Sequence, residues 1–354
     1  MKYKIVQASH QLETDWDTYV ESHKYATPYH RFAWLKSVEQ AYQHNNVSLL
    51  AYDQDEVVGV LPCIKMQRPL AKSKYCSLPF CDLGYGLADN DDILKALQAQ
   101  AKQSLDNIGG NIFEYRDSQQ DFTDSCAPGA KVRMLLPLPD TAEELMASFK
   151  SKLRSQVRKS EKNGLTFTIA NNQKQINDFY NIFSINMRKL GSPVHAKQWF
   201  ESLFKNYADN IFLSVVYTGD IAIGAGVIIR NKYSMAIPWA STVADYNKLA
   251  PNMMLYWSLL KHSCDLGCKE FDFGRSSFGE GTFKFKQQWG AKAKALSWSN
   301  LMSLQASPSI QDEDENQAQT SSGKIRPLVE NIWAKLPLGV TTTLGPKIRR
   351  HISL

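Results

Sequence analysis

The predicted secondary-structure elements of the first 304 residues follow one order twice. In each half a helical region precedes a β-hairpin, and a strand, a helix and a further strand follow it. The first hairpin is predicted at 49–65 around an acidic turn, and the second at 211–230 around Gly219–Asp220. Short apolar runs separated by turn residues are typical of hairpins. Because the halves share the order of their elements rather than residue identity, we predict a duplicated α+β unit.

Helical periodicity and chain breakers set the predicted boundaries. Apolar residues recur at helical spacing over 91–107, and one continuous helix is predicted from Thr141 to a C-terminal Gly164. Another helix is predicted to open at Pro251, since proline suits the first helical turn. We therefore predict a first domain at 1–140 and a second at 141–304, enclosing a cleft between them. An acidic polar linker at 305–323 and a basic tail at 324–354 are expected to follow.

The amino-acid composition indicates a globular protein. The 354 residues are 43% hydrophobic and 21% charged, which is typical of a globular protein with two domains of ordinary size. No apolar run approaches the roughly 18–20 residues that span a bilayer, and the N-terminus lacks an apolar signal region. We expect a cytoplasmic protein. The six cysteines form no CxxC pair and no HExxH motif occurs, so free thiols and no metal site are expected.

Charge suggests anionic partners without selecting one. The formal net charge is +6, which suits nucleic acid, sugar nucleotides, acyl-CoA or anionic lipid. Six cations and one acid lie between Lys150 and Lys162, a density that suits RNA phosphates or simply a solvated helix face. The tail mixes apolar and basic residues and is expected either to pack on the body or to contact the inner face of an anionic membrane. We favour packing, because prolines and glycines prevent one long amphipathic helix.

The stretch 269–290 is the strongest local candidate for a functional site. Phe271 and Phe273 alternate with polar residues, as at the end of a half-buried strand, and three glycines follow in a charged loop. After the loop, an arm of alternating aromatic and lysine residues, GTFKFKQQWG, provides cations for a phosphate or carboxylate. The alternative interpretation is a surface turn followed by an amphipathic segment.

Several motifs carry a resemblance to a known family. They are the basic helix KLRSQVRKSEKNGL, then FYNIFSINMRKLG, GDIAIGAGVII, the strand end FDFG and the arm GTFKFKQQWG. With a hairpin, strand, helix and strand in each half, the chain resembles tandem GNAT domains and, within that superfamily, the Fem-like aminoacyl transferases that act on peptidoglycan precursors. The tail IWAKLPLGVTTTLGPKIRR is similar to that of Fem-like proteins linked to PEP-CTERM/exosortase and exopolysaccharide systems.

The resemblance implies an acyltransferase. It would move an aminoacyl or acetyl group onto an amine or hydroxyl of an envelope or exopolysaccharide precursor, with aminoacyl-tRNA or acyl-CoA as donor and no permanently bound cofactor. One segment departs from GNAT enzymes that use acetyl-CoA: the loop before the helix at 251, TVADYNKLAPN, contains no glycine to bring backbone amides to a pyrophosphate. The open alternatives are acetyl-CoA-dependent N-acetylation of a sugar nucleotide, and a non-catalytic module that binds tRNA or a lipid-linked sugar.

Candidate roles follow from the matching motifs. Lys36 and Arg188 match the cations that clamp the acceptor's diphosphate in the Fem family, although both are also ordinary helix residues. Lys286 matches a lysine near the acyl-transfer centre, where it would stabilise an oxyanion; the alternative is a surface lysine on a strand. Other candidates are Glu280 and Asp272 as proton acceptors, and Asp82 likewise, from the segment CDLGYG that is similar to the family's. Arg275 is a candidate substrate-binding cation, and Trp239 and Tyr246 are candidate groove-lining aromatics. Turn, cap or core roles are the alternatives for these residues.

Overall fold

The computed structural model describes residues 3–68, 71–108, 110, 112–117, 129–302 and 327–354. The helices are α1 Glu13–Ser22, α2 Phe32–Tyr42, α3 Asp91–Asn107, α4 Ala142–Ser148, α5 Ser151–Lys162, α6 Gln173–Lys189, α7 Lys197–Tyr207, α8 Pro251–Asp265, α9 Gly281–Gln288, α10 at 327–335 and α11 Leu338–Arg349. The strands are β1 Lys4–Gln7, β2 Asn45–Asn46, β3 Leu49–Asp53, β4 Glu56–Leu61, β5 Ile64–Arg68, β6 Ala71–Cys76, β7 Leu87–Ala88, β8 Ile112–Asp117, β9 Lys131–Pro137, β10 Leu165–Ile169, β11 Ile211–Thr218, β12 Ile221–Asn231, β13 Ser234–Thr242, β14 Glu270–Ser277, β15 Lys292–Ala295 and β16 Ser297–Met302.

The predicted repetition is present. Two helices, a hairpin, a strand, a helix and a strand occur as α1, α2, β3, β4, β7, α3, β8 and again as α6, α7, β11, β12, β13, α8, β14, with β2, β5 and β6 as additional strands of the first half. Both hairpins are antiparallel. The second lies where the sequence predicts it, whereas the first ends at Leu61 rather than at residue 65, because Ile64 and Lys65 belong to β5, which pairs with β2 and β6 in another sheet. This order confirms the prediction of a tandem α+β arrangement.

The strands of the described residues form three sheets. Their strand orders are β1-β3-β4-β7, β2-β5-β6-β8-β16 and, for the largest, β10-β11-β12-β13-β14-β9-β15. The predicted division at residue 140 is not where the sheets separate. Strand β9 lies N-terminal to it but pairs with β14 and β15 in the largest sheet, while β16 pairs with β8 of the first half. Each half therefore receives a strand from the other side of that position.

The largest sheet opens at one pair of strands. Strands β13 and β14 run parallel and pair over Ser234–Ala236 and Glu270–Asp272. Beyond those residues the two strands are not paired with each other, although both are described to their ends. Strand β14 stays bonded to β9, with an irregularity between Asp272 and Arg275. The opening lies at Phe273–Ser277, within the predicted functional stretch 269–290.

Two hydrophobic clusters form the core, and one of them is shared between the halves. The shared cluster joins residues 8–115 to residues of α6, α7, β11, β12 and β13. At its centre Trp34 of α2 stacks on Trp239 at 5.9 Å and meets Trp199 of α7 edge-on at 5.2 Å. The other cluster lies within 132–291. The halves are thus held together by packed aromatic rings rather than by a polar contact alone.

Two segments differ from the prediction. The helix expected to run from Thr141 to Gly164 is broken, because Phe149 and Lys150 are extended. The break buries the Phe149 ring against Trp257 and Trp289. The arm after the glycine loop is a helix, α9, rather than an extended segment, so the interpretation of Lys286 as a surface lysine on a strand is wrong. A helical period places Phe283 and Lys286 on the same buried side.

The tail packs on the body, as favoured from sequence. Thr341 and Gly345 of α11 are buried, and Gly345 lies so close to Val194 that an added Cβ would be 2.9 Å from the Val194 nitrogen. Arg350 donates a hydrogen bond to the Tyr42 carbonyl. The predicted linker at 305–323 lies outside the described residues.

The shared tryptophan cluster gives a stability prediction. Trp34→Ala removes a fully buried ring, so we expect a loss of about 3–5 kcal/mol in the free energy of unfolding. Tyr233→Ala is the control, because Tyr233 is 57% exposed and should change the free energy by less than about 0.5 kcal/mol. Urea denaturation followed by circular dichroism measures both. A loss for Trp34→Ala no larger than that of the control would show that this packing does not stabilise the protein.

Candidate functional site

The loop 77–86 of the first half reaches the opening of the largest sheet. Side chains fix it by donating to its carbonyls: Trp34 Nε1 to Pro79 at 3.0 Å, Arg116 Nη1 to Leu78 at 2.8 Å and to Cys81 at 2.5 Å, and Trp298 Nε1 to Asp82 at 3.0 Å. The loop is tightly folded, since a Cβ at Gly84 would lie 2.7 Å from the Leu78 nitrogen. Asp82 is therefore presented from a rigid loop.

Asp82 contacts the second half at Arg275. Its Oδ2 accepts a hydrogen bond from the Arg275 backbone N–H at 3.3 Å, and its Oδ1 lies 3.3 Å from the Arg275 Nε. The guanidinium carbon of Arg275 lies 5.0 Å from the ring centre of Trp298. Burial raises the pKa of the Asp82 carboxyl, while the positive charge of Arg275 acts in the opposite direction.

Lys286 lies beneath the same opening. Its side chain projects from α9 and donates hydrogen bonds to the carbonyls of Gly274 at 3.1 Å and Arg275 at 2.7 Å. Gly274 has a φ of +71°, a backbone conformation that disfavours side chains and helps direct these carbonyls. Lys286 is 8% exposed, and burial lowers its pKa to about 8 although the carboxylates of Asp272 and Asp82 act against the shift. An ammonium has three N–H donors, so one is left after these two bonds.

Asp272 holds the strand in place rather than facing open space. It is 2% exposed, its Oδ2 pairs with the Arg133 Nε at 2.7 Å, and its Oδ1 accepts a hydrogen bond from the Gly274 N–H at 2.8 Å. The negative charge of Asp272 raises the pKa of Arg133 despite the burial of the guanidinium. The Asp272 side chain is 3% exposed and both its bonds are short, whereas the Asp82 side chain is 21% exposed and both its contacts to Arg275 are 3.3 Å long. The geometry therefore favours a positioning role for Asp272 and leaves Asp82 the more accessible proton acceptor.

The structure thus brings together four of the residues proposed from sequence. Asp82 comes from one half, and Asp272, Arg275 and Lys286 come from the other. A cavity of about 280 Å³ is lined by Arg116, Trp298, Ser353 and Leu354, among others, but by none of the four residues proposed from sequence. Trp298 is its link to the cluster, because its ring contacts Arg275 and its indole N–H donates to the Asp82 carbonyl. A carboxylate with a raised pKa can accept a proton, and a buried ammonium with a free N–H can stabilise an oxyanion. Their assigned roles stay predictions.

Three other candidates lie outside this cluster. Glu280 is exposed at the start of α9 and does not cap that helix with its side chain. Lys36 pairs with Glu13, at 2.9 Å from Nζ to Oε2. Arg188 donates from Nη1 to the Leu336 carbonyl of the tail at 3.4 Å, and its buried Nε has no hydrogen-bond partner among the described residues. No ion pair or hydrogen bond between described residues connects these three to the cluster.

The two aromatic candidates are packed. Trp239 is 8% exposed and belongs to the shared tryptophan cluster, which leaves little of its ring to line a groove. Tyr246 lies in the short 3₁₀ helix Ala244–Leu249 and packs against the core of the second half.

Three residues that hold the cluster in place, Arg133, Arg116 and Trp298, were not predicted from the sequence. Arg133 and Arg116 are 6% and 4% exposed within strands β9 and β8. An arginine inside an apolar strand, as in KVRMLLP, is a signal that could have identified Arg133, because a buried charge needs a partner. Nothing in the sequence around Trp298 indicates that its indole bonds to the loop of the other half.

In both halves, backbone N–H groups near the helix start that would bind a pyrophosphate are already hydrogen-bonded within the chain. In the second half, the N–H groups of Tyr246, Ala250 and Met253 donate to carbonyls within the glycine-free loop and the first turn of α8. In the first half, the Asn90 side chain accepts from the N–H groups of Asp92 and Ile93 at the start of α3. Asp91 and Asp92 add negative charge there. At each start, part of the amide set that an anion would bind is therefore already engaged.

The described residues contain neither a candidate metal site nor a helix suited to crossing a membrane. No group of three or more His, Cys, Asp and Glu side chains within them is arranged to hold a metal ion. Among their helices, none combines the length and the apolar composition needed to cross a membrane.

Comparison with known proteins identifies the fold and the reaction type. Residues 147–287 match the GNAT acetyltransferase domain family, and no curated protein matches the chain. The crystal structure of FemX is similar with a TM-score of 0.64 at 12% identity, covering 84% of this chain and 97% of FemX. The chain therefore contains a GNAT acetyltransferase domain and is an acyltransferase.

Two further structures are similar in fold. L-PGS from Bacillus licheniformis has a TM-score of 0.54 at 9% identity, covering 85% of this chain and 94% of its own. A tandem GNAT protein from the clavulanic acid pathway has a TM-score of 0.53 at 10% identity, covering 86% of this chain and all of its own. At these identities the likeness is one of fold.

The buried ammonium gives a direct titration prediction. In protein labelled with ¹³C at the lysine Cε, one signal should titrate near pH 8 and should disappear in Lys286→Met. The ammonium groups of exposed lysines titrate at about pH 10.4. Asp82→Asn should lower this pKa further, because the Asp82 carboxylate stabilises the ammonium. If the signal lost in Lys286→Met titrates with the exposed lysines, the ammonium is not desolvated as the structure indicates.

Proposed function

We propose that the chain transfers an aminoacyl group from an aminoacyl-tRNA to an amine or hydroxyl of a cell-envelope or exopolysaccharide precursor. The observation that carries this choice of donor is the state of the two helix starts. In each half, local carbonyls or the Asn90 side chain engage several amides of the helix start where a coenzyme A pyrophosphate would lie, and the loop before α8 contains no glycine. A GNAT domain ordinarily implies acyl-CoA, so an acyltransferase with these amides engaged fits a donor that is held differently.

The basic helix α5 supports an RNA donor. Lys152, Arg158, Lys159 and Lys162 are exposed along it, and the neighbouring acid is Glu161. Cations in this density attract phosphates, with an affinity that falls steeply as salt rises. A structural neighbour from Agrobacterium fabrum is named as the C-terminal domain of a putative lysylphosphatidylglycerol synthetase, and that name also supports an aminoacyl cargo.

The proposed reaction takes place at the opening of the sheet. The acceptor amine attacks the carbonyl carbon of the aminoacyl ester and forms a C–N bond. Asp82 accepts a proton from the amine, and the remaining N–H of Lys286 stabilises the oxyanion. The ester C–O bond then breaks, and the ribose oxygen leaves with a proton returned by Asp82. Arg275 keeps the Asp82 carboxylate oriented.

Direct attack is favoured over a covalent enzyme intermediate. Cys81 lies beside Asp82, but burial raises the pKa of its thiol, and the thiol donates to the Leu83 carbonyl. A buried neutral thiol is a weak nucleophile. The roles of Lys36 and Arg188 in holding the acceptor's diphosphate remain part of the proposal. The buried Arg188 Nε, which lacks a partner among the described residues, supports an anion contact there.

The test is a search for the product by mass spectrometry. Purified protein is offered mixed aminoacyl-tRNAs or a panel of acyl-CoAs, each with lipid-linked and nucleotide-linked envelope precursors. We expect a precursor to gain the mass of an aminoacyl residue, and ribonuclease treatment to abolish the gain. A gain that persists with acyl-CoA alone would overturn the proposed donor.

Lys286 has a matched control on the same helix. Lys286→Met should lower kcat by at least about 100-fold, because it removes the oxyanion's donor. Lys284→Met should leave kcat within about twofold, since Lys284 is exposed and lies outside the cluster. Equal kcat values for the two variants would exclude Lys286 from the chemistry.

The pH dependence of the rate follows from the shifted pKa values of Lys286 and Asp82. Activity needs Lys286 protonated, so the rate should fall as pH rises through about 8. Activity also needs Asp82 ionised, so the rate should fall as pH drops through its raised pKa. A bell-shaped profile of kcat/KM is expected, and its alkaline limb should disappear from the residual activity of Lys286→Met. A wild-type rate that does not fall between pH 8 and 10 would contradict the assignment of Lys286.

Acetyl-CoA-dependent N-acetylation of a sugar nucleotide is the second candidate. The match of residues 147–287 to an acetyltransferase domain favours it. Isothermal calorimetry with acetyl-CoA separates the two: micromolar binding would promote this candidate, and absence of binding would favour the RNA donor.

A further inference from the structure

Exposed apolar side chains are concentrated in the tail. Within the described residues, seven of the fourteen exposed large apolar side chains lie in 327–354: Leu328, Val329, Ile332, Val340, Leu344, Ile348 and Ile352. Scattered exposed apolar residues are normal, but a cluster of this kind marks an interaction surface.

Four of these residues form a stripe on one side of the tail. Val340, Leu344 and Ile348 follow one another at intervals of four along α11, and Ile352 continues the interval just past its end. Residues four apart lie on the same helix face. Thr341 and Gly345, each one position after a stripe residue, are buried against the body. The stripe borders this buried edge, and its four side chains are 37–44% exposed, so it presents an apolar surface to solvent.

The tail is fixed at several points, so the stripe cannot turn inward without breaking contacts. His44 Nε2 is 2.7 Å from the Arg350 carbonyl, which accepts its hydrogen bond, and Arg350 donates to the Tyr42 carbonyl at 2.8 Å. The Phe80 N–H donates to the Ser353 carbonyl at 2.6 Å. The guanidinium of Arg349 lies over the Phe80 ring at 5.4 Å.

The charges beside the stripe are positive. Residues 327–354 contain four Lys and Arg side chains and one acid, Glu330. Arg349 and Arg350 are engaged with the body, whereas Lys335 and Lys347 are exposed. No ion pair between described residues holds either lysine. An apolar stripe with cations at its side complements an anionic lipid surface, where acyl chains meet negative headgroups.

We propose that the stripe Val340–Leu344–Ile348–Ile352, with Lys335 and Lys347, docks the protein on an anionic bilayer. A second copy of the chain fits less well, because a symmetric interface would bring the same cations together. The proposal goes beyond the acyl transfer proposed above and holds whichever group is transferred.

Vesicle flotation tests the proposal with the full-length protein. Vesicles of phosphatidylcholine with about 30% phosphatidylglycerol are compared with phosphatidylcholine alone. We expect binding to the anionic vesicles and at least about tenfold less to neutral ones. Lys335→Gln/Lys347→Gln should weaken binding about 25-fold, about fivefold for each lysine. Leu344→Ser/Ile348→Ser should weaken it at least about tenfold, since it removes apolar contact area.

Ile221→Ser/Phe167→Ser is the matched control, because these side chains are also exposed but lie outside the tail. It should bind vesicles as the parent does. Vesicle binding that both tail variants retain would overturn the proposal, as would equal binding to neutral vesicles. Light scattering without lipid tests whether the stripe binds a second copy of the chain instead. A dimer that becomes a monomer in Leu344→Ser/Ile348→Ser would show that the stripe is a self-interface.

Discussion

The packing of α2 against α7 fixes how the two halves lie, and the site depends on it. Trp34, Trp199 and Trp239 form one aromatic cluster from both halves, with two of the three rings fully buried. The indole N–H of Trp34 also holds the Pro79 carbonyl. The ring that joins the halves thus also positions the loop that carries Asp82. Because the loop and the sheet opening come from different halves, the Asp82–Arg275 contact exists only when this packing is intact.

The cluster illustrates how burial prepares charged groups for chemistry. Burial disfavours the charged forms of both Lys286 and Asp82, which raises the pKa of the acid and lowers that of the base. Both shifts move the pKa toward neutral pH, the direction that favours proton transfer and charge stabilisation at an active site. The pair of Arg133 and Asp272 holds the strand beneath them, so the carbonyls that bind Lys286 keep their direction. His30 is fully buried and its pKa is lowered to about 4, so near neutral pH it is uncharged and donates from Nε2 to the Tyr85 carbonyl of the same loop.

Sequence predicted well what local periodicity determines. The two hairpins, the helix at 91–107 and the helix opened by Pro251 are all present, because apolar spacing and turn residues encode them. Asp82, Arg275 and Lys286, which the sequence proposed separately, lie together in the structure, while their roles stay predictions. The sequence could not predict which sheet each strand joins. Long-range pairing alone places β9 in the largest sheet, beside β14, and β16 beside β8 of the first half. The break at Phe149 arises from burial of one ring, a tertiary effect that helix periodicity does not encode. By residue type and neighbourhood Glu280 was as good a candidate proton acceptor as Asp82, and only the three-dimensional arrangement shows that it is exposed and lies outside the cluster.

The central claim is that the two halves build one acyl-transfer site, with Asp82 and Lys286 acting in the same transition state. A double-mutant cycle on kcat/KM with Asp82→Asn, Lys286→Met and their combination measures this coupling. The account predicts strong coupling, so that the double variant is about as slow as the slower single variant. Losses that simply multiply would show that the two residues act independently, and would contradict a shared site.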